Sequence, residues 1–208
     1  DGMKKAALKK SSSSEILFFY TFIGFVLTLP FSYDAFLIKP SFILFAFIKA
    51  LVICISWLLS MQVLKKMSVS LYGIMDLSRM IFSMMFGVLL LGENLTVAKI
   101  AGGIIVVCGL VLANMKKETK NKGVAFAVLI TALISCLFNS LSGVMDKIAM
   151  KYITSSQLQF WFMLFTTVIY GVILLVKREK ISIKTLKTNY WIPLMSASLI
   201  LGDRLLFE

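Results

Sequence analysis

The sequence contains no histidine and few other residues that could catalyse a reaction or bind a metal. Histidine is the commonest general base and metal ligand, so its absence excludes every site that depends on an imidazole. The three cysteines, Cys54, Cys108 and Cys136, lie in separate apolar runs without a CxxC spacing. We expect them to be small buried hydrophobic residues rather than ligands or disulfide partners. The sequence therefore predicts no metal and no cofactor.

Acidic residues are also scarce. Ten Asp and Glu stand against 22 Lys and Arg, which gives a net charge of +12. In a soluble protein this excess would suggest a nucleic-acid partner, but the lysines cluster beside apolar runs and no nucleic-acid motif accompanies them. We therefore expect anionic lipid headgroups as the partner of these lysines, and no nucleic acid.

Long apolar runs dominate the rest of the sequence. Hydrophobic residues make up 59% of the chain, and the mean hydropathy is +0.92. Most of the runs are ~20 residues long, which is the length at which a helix crosses a hydrocarbon core of roughly 30 Å. The predicted spans are Ile16–Tyr33, Ser41–Leu64, Val69–Leu91, Val97–Met115, Gly123–Met145, Gln157–Val176 and a segment from Tyr190 onward. We predict an all-α, polytopic transmembrane helical bundle in the cell (plasma) membrane.

The turns between the spans differ in charge. One set carries Lys4, Lys5, Lys9, Lys10, Lys65, Lys66, Lys116, Lys117, Lys120, Lys122, Lys177, Arg178, Lys180, Lys184 and Lys187. The alternate set carries Lys39, Lys99, Lys147 and Lys151. Short loops rich in Lys and Arg stay on the cytoplasmic side, so the first set is predicted to be cytoplasmic.

An internal repeat connects the two parts of the chain. A shift of 142 positions aligns eight identical residues, where roughly two are expected by chance: Met3, Lys5, Ala7, Lys9, Ser13, Ser14, Phe18 and Val26 fall on Met145, Lys147, Ala149, Lys151, Ser155, Ser156, Phe160 and Val168. Five helices separate a segment from its copy. Because five is odd, the copies insert with opposite orientation, as in many secondary transporters.

The segment Gly87 to Leu112 carries a family resemblance. It reads GVLLLGENLTVAKIAGGIIVVCGLVL and resembles the end of an EamA-type repeat of the drug/metabolite transporter superfamily, with Gly92, Glu93, Thr96, Gly102 or Gly103, and Gly109 in order. The resemblance implies ten helices in two inverted five-helix repeats, truncated here at both ends. Residues 1–116 would be the first repeat without its first helix, and 117–208 the second repeat, cut in its third helix. The full reading frame is expected to encode roughly 300 residues. Some relatives are drawn with cytoplasmic termini, which would reverse the orientation that the charges predict.

The same segment also has a structural interpretation. Gly102 and Gly109 lie on one helical face and would allow a neighbouring helix to approach closely. Thr96 is expected to cap the next helix, and a carboxylate at Glu93 would suit the positive end of that helix. A structural turn therefore explains Glu93 more simply than proton coupling does.

Polar residues inside the spans mark the predicted solute site, because they are costly in a bilayer unless they face a cavity or a partner. Ser135, Asn139, Ser142 and Asp146 form one helical stripe. The resemblance implies that the helices carrying these polar groups surround a central cavity. The candidate solute-binding residues are Lys49, Asp76, Arg79, Asn139, Asp146, Asp203 and Arg204. Asp76 and Arg79, three positions apart, could instead be a structural ion pair, and interhelical hydrogen bonding could explain the serines.

Three classes of function are compatible with these features. The favoured one is a secondary transporter of small organic metabolites or drugs that works by alternating access. The alternatives are a channel or non-transporting scaffold, and an integral-membrane enzyme, which lacks support because no nucleophile–base or paired-carboxylate spacing is present. Asp76, Asp146 and Asp203 are the intramembrane carboxylates that could couple transport to protons.

Overall fold

The computed structural model describes residues 12–115, 126–178 and 191–207, with the side chains of 110–115 and 203–207 left undescribed. Within these ranges the chain is helical and contains no strand. The helices are α1 Ser13–Thr28, α2 Pro40–Lys66, α3 Val69–Asp76, α4 Ser78–Leu91, α5 Val97–Met115, α6 Phe126–Ala149, α7 Ser155–Val176 and α8 Trp191–Phe207. A short 3-10 helix, Leu29–Phe31, extends α1. The predicted all-α polytopic class is confirmed.

Five helical segments are long and apolar enough to cross a membrane: Ser13–Phe31, Pro40–Lys66, Val69–Leu91, Phe126–Ala149 and Ser155–Val176. Val97–Gly109 and Trp191–Gly202, the parts of α5 and α8 with described side chains, are shorter apolar helices. The predicted spans agree with these to within a few residues at their ends. The predicted span Val69–Leu91 is one of these five, and it consists of two helices, α3 and α4, separated at Leu77.

Several of the helices begin at a side chain that satisfies the free amides of the first turn. Ser12 accepts a bond from the Glu15 amide at 3.2 Å, and Ser68 caps α3 through the Leu71 amide at 3.3 Å. Thr154 caps α7, where Gln157 also bonds back to the Thr154 amide at 3.1 Å. These caps explain why the apolar runs become helices at these residues.

The turn between α4 and α5 has the structure that its sequence predicts. Gly92 ends α4 with φ +64°, a left-handed conformation that glycine adopts without steric cost. Thr96 accepts a hydrogen bond from the Lys99 amide at 3.4 Å, so its predicted capping role is confirmed. The Glu93 carboxylate lies 2.7 Å from the Lys99 ammonium. This ion pair supports the structural interpretation of Glu93.

The contacts divide the chain into two compact units. Unit 1 contains the described part of 55–146, and unit 2 the described parts of 2–54 and 147–208. Both α2 and α6 therefore contribute residues to each unit. Because the units are defined by contacts and the repeats by duplication, the predicted boundary at 116/117 stays a prediction.

Unit 2 is built on α1, which packs against α7 and α8. The Met163 sulfur lies 3.2 Å from where a Cβ on Gly24 would be, so this glycine allows α1 and α7 to approach closely. The Ser196 hydroxyl donates to the Tyr20 carbonyl at 2.7 Å and joins α8 to α1. The core of this unit includes a buried cluster of Ala46, Ala149, Ile153 and Leu158.

The connection between α1 and α2 is held against the start of α7, also within unit 2. The Gln157 side chain donates to the carbonyls of Asp34 and Leu37 at 3.1 and 3.2 Å. The Trp161 indole donates to the Ala35 carbonyl at 2.8 Å, and the Thr154 hydroxyl donates to the Asp34 carboxylate at 2.7 Å. These bonds fix a connection that would otherwise expose its polar backbone at the end of the span.

In unit 1, α4 packs against α5. The close approach occurs at Gly103, where the Met84 methyl lies 3.1 Å from the position of an added Cβ. Gly102 and Gly109, predicted to provide the packing face, are exposed, and no described atom lies within 4 Å of an added Cβ at either. Among the described residues the predicted pair therefore makes no close packing contact, because the pattern alone does not show which face of α5 meets α4.

Candidate solute-binding site

The Val69–Leu91 span is interrupted within the membrane-spanning length. α3 ends at Asp76 and α4 begins at Ser78, with the Leu77 amide bonded to the Ile74 carbonyl at 3.2 Å. An i to i−3 bond of this kind tightens the chain locally, and a tightened turn within a helix often marks a functional hinge. Leu77 is eight residues from Val69, or about 12 Å along a helix of 1.5 Å rise, so the interruption falls well inside the span.

Side chains from α6 contact the backbone on both sides of this interruption. The Ser140 hydroxyl donates to the Arg79 carbonyl at 2.8 Å, on the α4 side. The Cys136 sulfur lies 3.6 Å from the Met75 carbonyl, on the α3 side, and 3.9 Å from an Asp76 carboxylate oxygen. A side chain that inserts at a helix interruption is a recognised cause of a kink. The residues from 73 to 79 contain no proline.

Two predicted site residues flank the interruption as an ion pair. The Arg79 guanidinium nitrogen lies 3.8 Å from an Asp76 carboxylate oxygen. The Arg79 side chain is 45% exposed and that of Asp76 25% exposed, so neither charge is enclosed by the protein. A charge at the centre of a span costs roughly 2.5–3.5 kcal/mol on insertion scales. Such charges are usually tolerated where they face a partner, water or a ligand.

The helices next to the interruption are joined by buried hydroxyl groups. The Ser56 hydroxyl donates to the Ser135 carbonyl at 2.8 Å, and the Ser135 hydroxyl donates to the Ser56 carbonyl at 3.0 Å. The Ser60 and Tyr72 hydroxyl oxygens lie 2.9 Å apart. The interhelical interpretation is therefore correct for Ser135, and Ser56 and Ser60 make hydrogen bonds of the same kind.

The other predicted residues of α6 lie on the same helix as these contacts. Asn139 and Asp146 are both half-buried, and Ser142 is buried. The predicted stripe therefore runs along a partly enclosed face of α6. Asp203 and Arg204 belong to α8, but their side chains are outside the part of the structure that is described.

Lys49, another predicted site residue, belongs to unit 2. Its side chain is 5% exposed, and its ammonium lies 3.5 Å from the centroid of the Phe162 ring on α7. A cation over an aromatic face gains ~2 kcal/mol or more when both groups are desolvated. Phe162 thus helps to hold a charge within the apolar part of the bundle.

The cysteines agree with the prediction in two cases out of three. Cys54 and Cys136 are buried, but Cys108 is exposed, which contradicts the expectation for that residue. Cys108 borders an apolar groove of about 270 Å³ between α4 and α5, lined also by Ile81, Met84, Ile100, Gly103, Ile104 and Val107. No cluster of three or more His, Cys, Asp or Glu residues that could hold a metal occurs among the described residues.

Three important residues were missed by the sequence interpretation: Ser140, Tyr72 and Phe162. Ser140 is adjacent to Asn139, about 100° further around the helix, and so falls off the chosen stripe. Serine within an apolar span is a signal that could have found it, because a buried hydroxyl needs an acceptor.

A comparison with known protein families is decisive for the class of protein. The family model of the EamA-like transporter family matches residues 3–115, which is more than half of the chain. This chain belongs to the EamA-like transporter family. The membership confirms the resemblance seen at Gly87 to Leu112 and makes the chain part of a membrane transporter of the drug/metabolite transporter superfamily. No curated protein matches the chain.

Proposed function

We propose that this chain is part of a secondary carrier that moves small organic metabolites or drugs by alternating access between two inverted repeats, 1–116 and 117–208. The observation that carries the proposal is the interruption at Leu77, with Asp76 and Arg79 on its two sides. Secondary transporters commonly form their substrate sites from discontinuous helices near the bilayer midplane. A carrier of this kind needs no catalytic residue, and we propose no enzymatic activity.

In this proposal, the Asp76 and Arg79 side chains contact the solute. Both are partly exposed within a span, and their charged atoms are 3.8 Å apart. Charge-assisted hydrogen bonds have shorter distances, ~2.7–2.9 Å, so the pair is not closed as a tight ion pair. A polar solute can therefore compete for either charge. Lys49, Asn139, Asp146, Asp203 and Arg204 are proposed as further contributors to solute binding.

The test uses the full-length protein in liposomes. The probes are a tritiated amino acid mixture, a tritiated monosaccharide and ethidium, which represent solute classes that the family resemblance implies. Asp76→Asn and Arg79→Gln are expected to abolish saturable uptake of the transported probe while leaving membrane insertion unchanged. Lys99→Gln is the matched control, because it breaks the Glu93–Lys99 ion pair at the end of a span. Normal uptake in both site variants would place the solute elsewhere, and an ohmic current instead of saturable uptake would indicate a channel.

The proposed environment is the plasma membrane, with anionic headgroups beside the basic ends of the spans. Lys65 and Lys66 are exposed at the end of α2, where such headgroups would lie.

We also propose protons as the coupling ion, carried by Asp76 or Asp146, which are both half-buried carboxylates within spans. An imposed pH gradient should accelerate uptake in the unaltered protein, and the responsible Asp→Asn variant should lose that acceleration.

A further inference from the structure

Hydrogen bonds of side-chain hydroxyl groups join three helices of unit 1, namely α2, α3 and α6. The Tyr72 and Ser60 hydroxyl oxygens, 2.9 Å apart, join α3 to α2. The reciprocal bonds of Ser56 and Ser135, at 2.8 and 3.0 Å, join α2 to α6. All four of these side chains are buried, so breaking either contact would leave polar groups without water. The α3 side of the interruption is therefore firmly attached to its neighbours.

The α4 side of the interruption is attached to α6 by a hydrogen bond whose donor also has an acceptor within α6. The Ser140 hydroxyl lies 2.8 Å from the Arg79 carbonyl and also 2.9 Å from the Cys136 carbonyl of its own helix. A serine hydroxyl has one proton, which it can share between these two acceptors or give to either. If α4 moves away, Ser140 keeps a hydrogen bond within α6. The contact between α6 and α4 is therefore easier to break than the Ser56–Ser135 contact.

The weaker attachment of α4, compared with α3, affects the Asp76–Arg79 ion pair at the interruption. Asp76 is the last residue of α3, whereas Arg79 is in the first turn of α4. A change in the angle between α3 and α4 at Leu77 therefore alters the distance between the two charges, now 3.8 Å. We call Leu77, between α3 and α4, the joint. The i to i−3 bonds of the Leu77 and Met80 amides, at 3.2 and 3.0 Å, show that the chain departs from regular α-helix there.

We propose that Ser140 is a positioning residue for transport: its hydroxyl, shared between the Arg79 and Cys136 carbonyls, sets the angle of α4 at Leu77 and thereby the separation of Asp76 and Arg79. Ser140 itself does not contact the solute. The contact of the ion pair with the solute rests on the proposed function. The control of the α4 angle by Ser140 does not rest on it. The two parts can therefore fail separately.

The joint is tested by a distance measurement that needs no solute. Spin labels are placed at Met85 on α4 and Leu133 on α6, both exposed, in the full-length protein with Cys108→Ser. Ser140→Ala should broaden or shift the distance distribution by several ångströms, because Met85 lies about 12 Å beyond Leu77 along α4 and a small change of angle at Leu77 moves it by that much. Ser140→Thr, which keeps the hydroxyl, should restore the original distribution. Ser135→Ala is the matched control, because it removes a buried interhelical hydroxyl from the same helix that bonds to α2 and not to α4.

Equal distributions in Ser140→Ala and Ser135→Ala would overturn the proposal. Loss of folded protein in Ser140→Ala alone would overturn it too, because the bond would then be a fixed structural contact. In the flux assay with the transported probe, Ser140→Ala should raise the half-saturating concentration about tenfold, the effect of losing one hydrogen bond. Ser140→Thr and Ser135→Ala should stay close to the unaltered protein. If none of the probes is transported while the spin-label shift is observed, the proposed function fails and the joint stands.

Discussion

The ammonium of Lys49 lies 3.5 Å from the centre of the Phe162 ring, so a buried lysine is held against an aromatic face within a membrane-spanning helix. Lys49 on α2 and Phe162 on α7 are both less than a tenth exposed. The apolar ring thus gives the charge a favourable electrostatic contact where full hydration is unavailable. Buried charges in spans are usually functional, which agrees with the proposed role of Lys49 in solute binding.

The first prediction concerns this contact. Phe162→Leu keeps an apolar side chain but removes the ring face, and is expected to destabilise the folded protein by ~2 kcal/mol. The measurement is the melting temperature in detergent, taken also for Lys49→Met and for the double variant. Phe165→Leu is the control, since Phe165 contacts Phe47 at a ring distance of 5.3 Å rather than a lysine. If the effects of Phe162→Leu and Lys49→Met simply add, the two side chains are not coupled.

The sequence predicted the spans well because crossing a bilayer depends on apolar length, which a one-dimensional pattern contains. It did not predict the interruption at Leu77. The usual cause, a proline, is missing there, and the side chains that act on the joint come from a helix some 60 residues further along. For the same reason Asp76 and Arg79 could be predicted as a pair, but Ser140 could not be assigned to them. Which face of α6 meets α3 and α4 is a property of the packing.

The second prediction concerns glycine conformation. Gly92→Ala should lower the melting temperature by a few degrees, because a left-handed backbone at φ +64° costs an alanine about 1–2 kcal/mol. Gly102→Ala should leave the melting temperature unchanged or raise it, because this glycine is helical and has open space around an added Cβ. The two substitutions add the same methyl group ten residues apart. Destabilisation by Gly102→Ala would instead mean that the exposed face of α5 is covered in the full-length protein.

The third prediction concerns the connection between α1 and α2. Gln157→Leu removes both donors to the Asp34 and Leu37 carbonyls and should raise amide hydrogen exchange in residues 32–39. Leaving such carbonyls without partners costs about 1–3 kcal/mol, which corresponds to roughly 5- to 150-fold faster local opening. Hydrogen exchange read by mass spectrometry gives the measurement. Gln62→Leu is the control, because Gln62 is an exposed glutamine on α2. Unchanged exchange in 32–39 would show that other contacts hold this connection.

The last prediction concerns orientation in the membrane, for which the charge distribution is the guide. The Lys116 to Lys122 segment lies outside the described residues, and its four lysines predict a cytoplasmic position. A cysteine at Asn121 should then resist an impermeant thiol reagent in intact cells and react after permeabilisation.

The second labelling site, on the opposite side of the membrane, is Leu37→Cys, at a position 82% exposed in the sparsely charged connection between α1 and α2. It should be labelled in intact cells, because three spans, an odd number, separate Leu37 from Asn121 and so place the two residues on opposite sides. Both variants carry Cys108→Ser, which removes the exposed native thiol. Labelling at Asn121 combined with protection at Leu37 would reverse the orientation and show that the arrangement with cytoplasmic termini overrides the lysine bias.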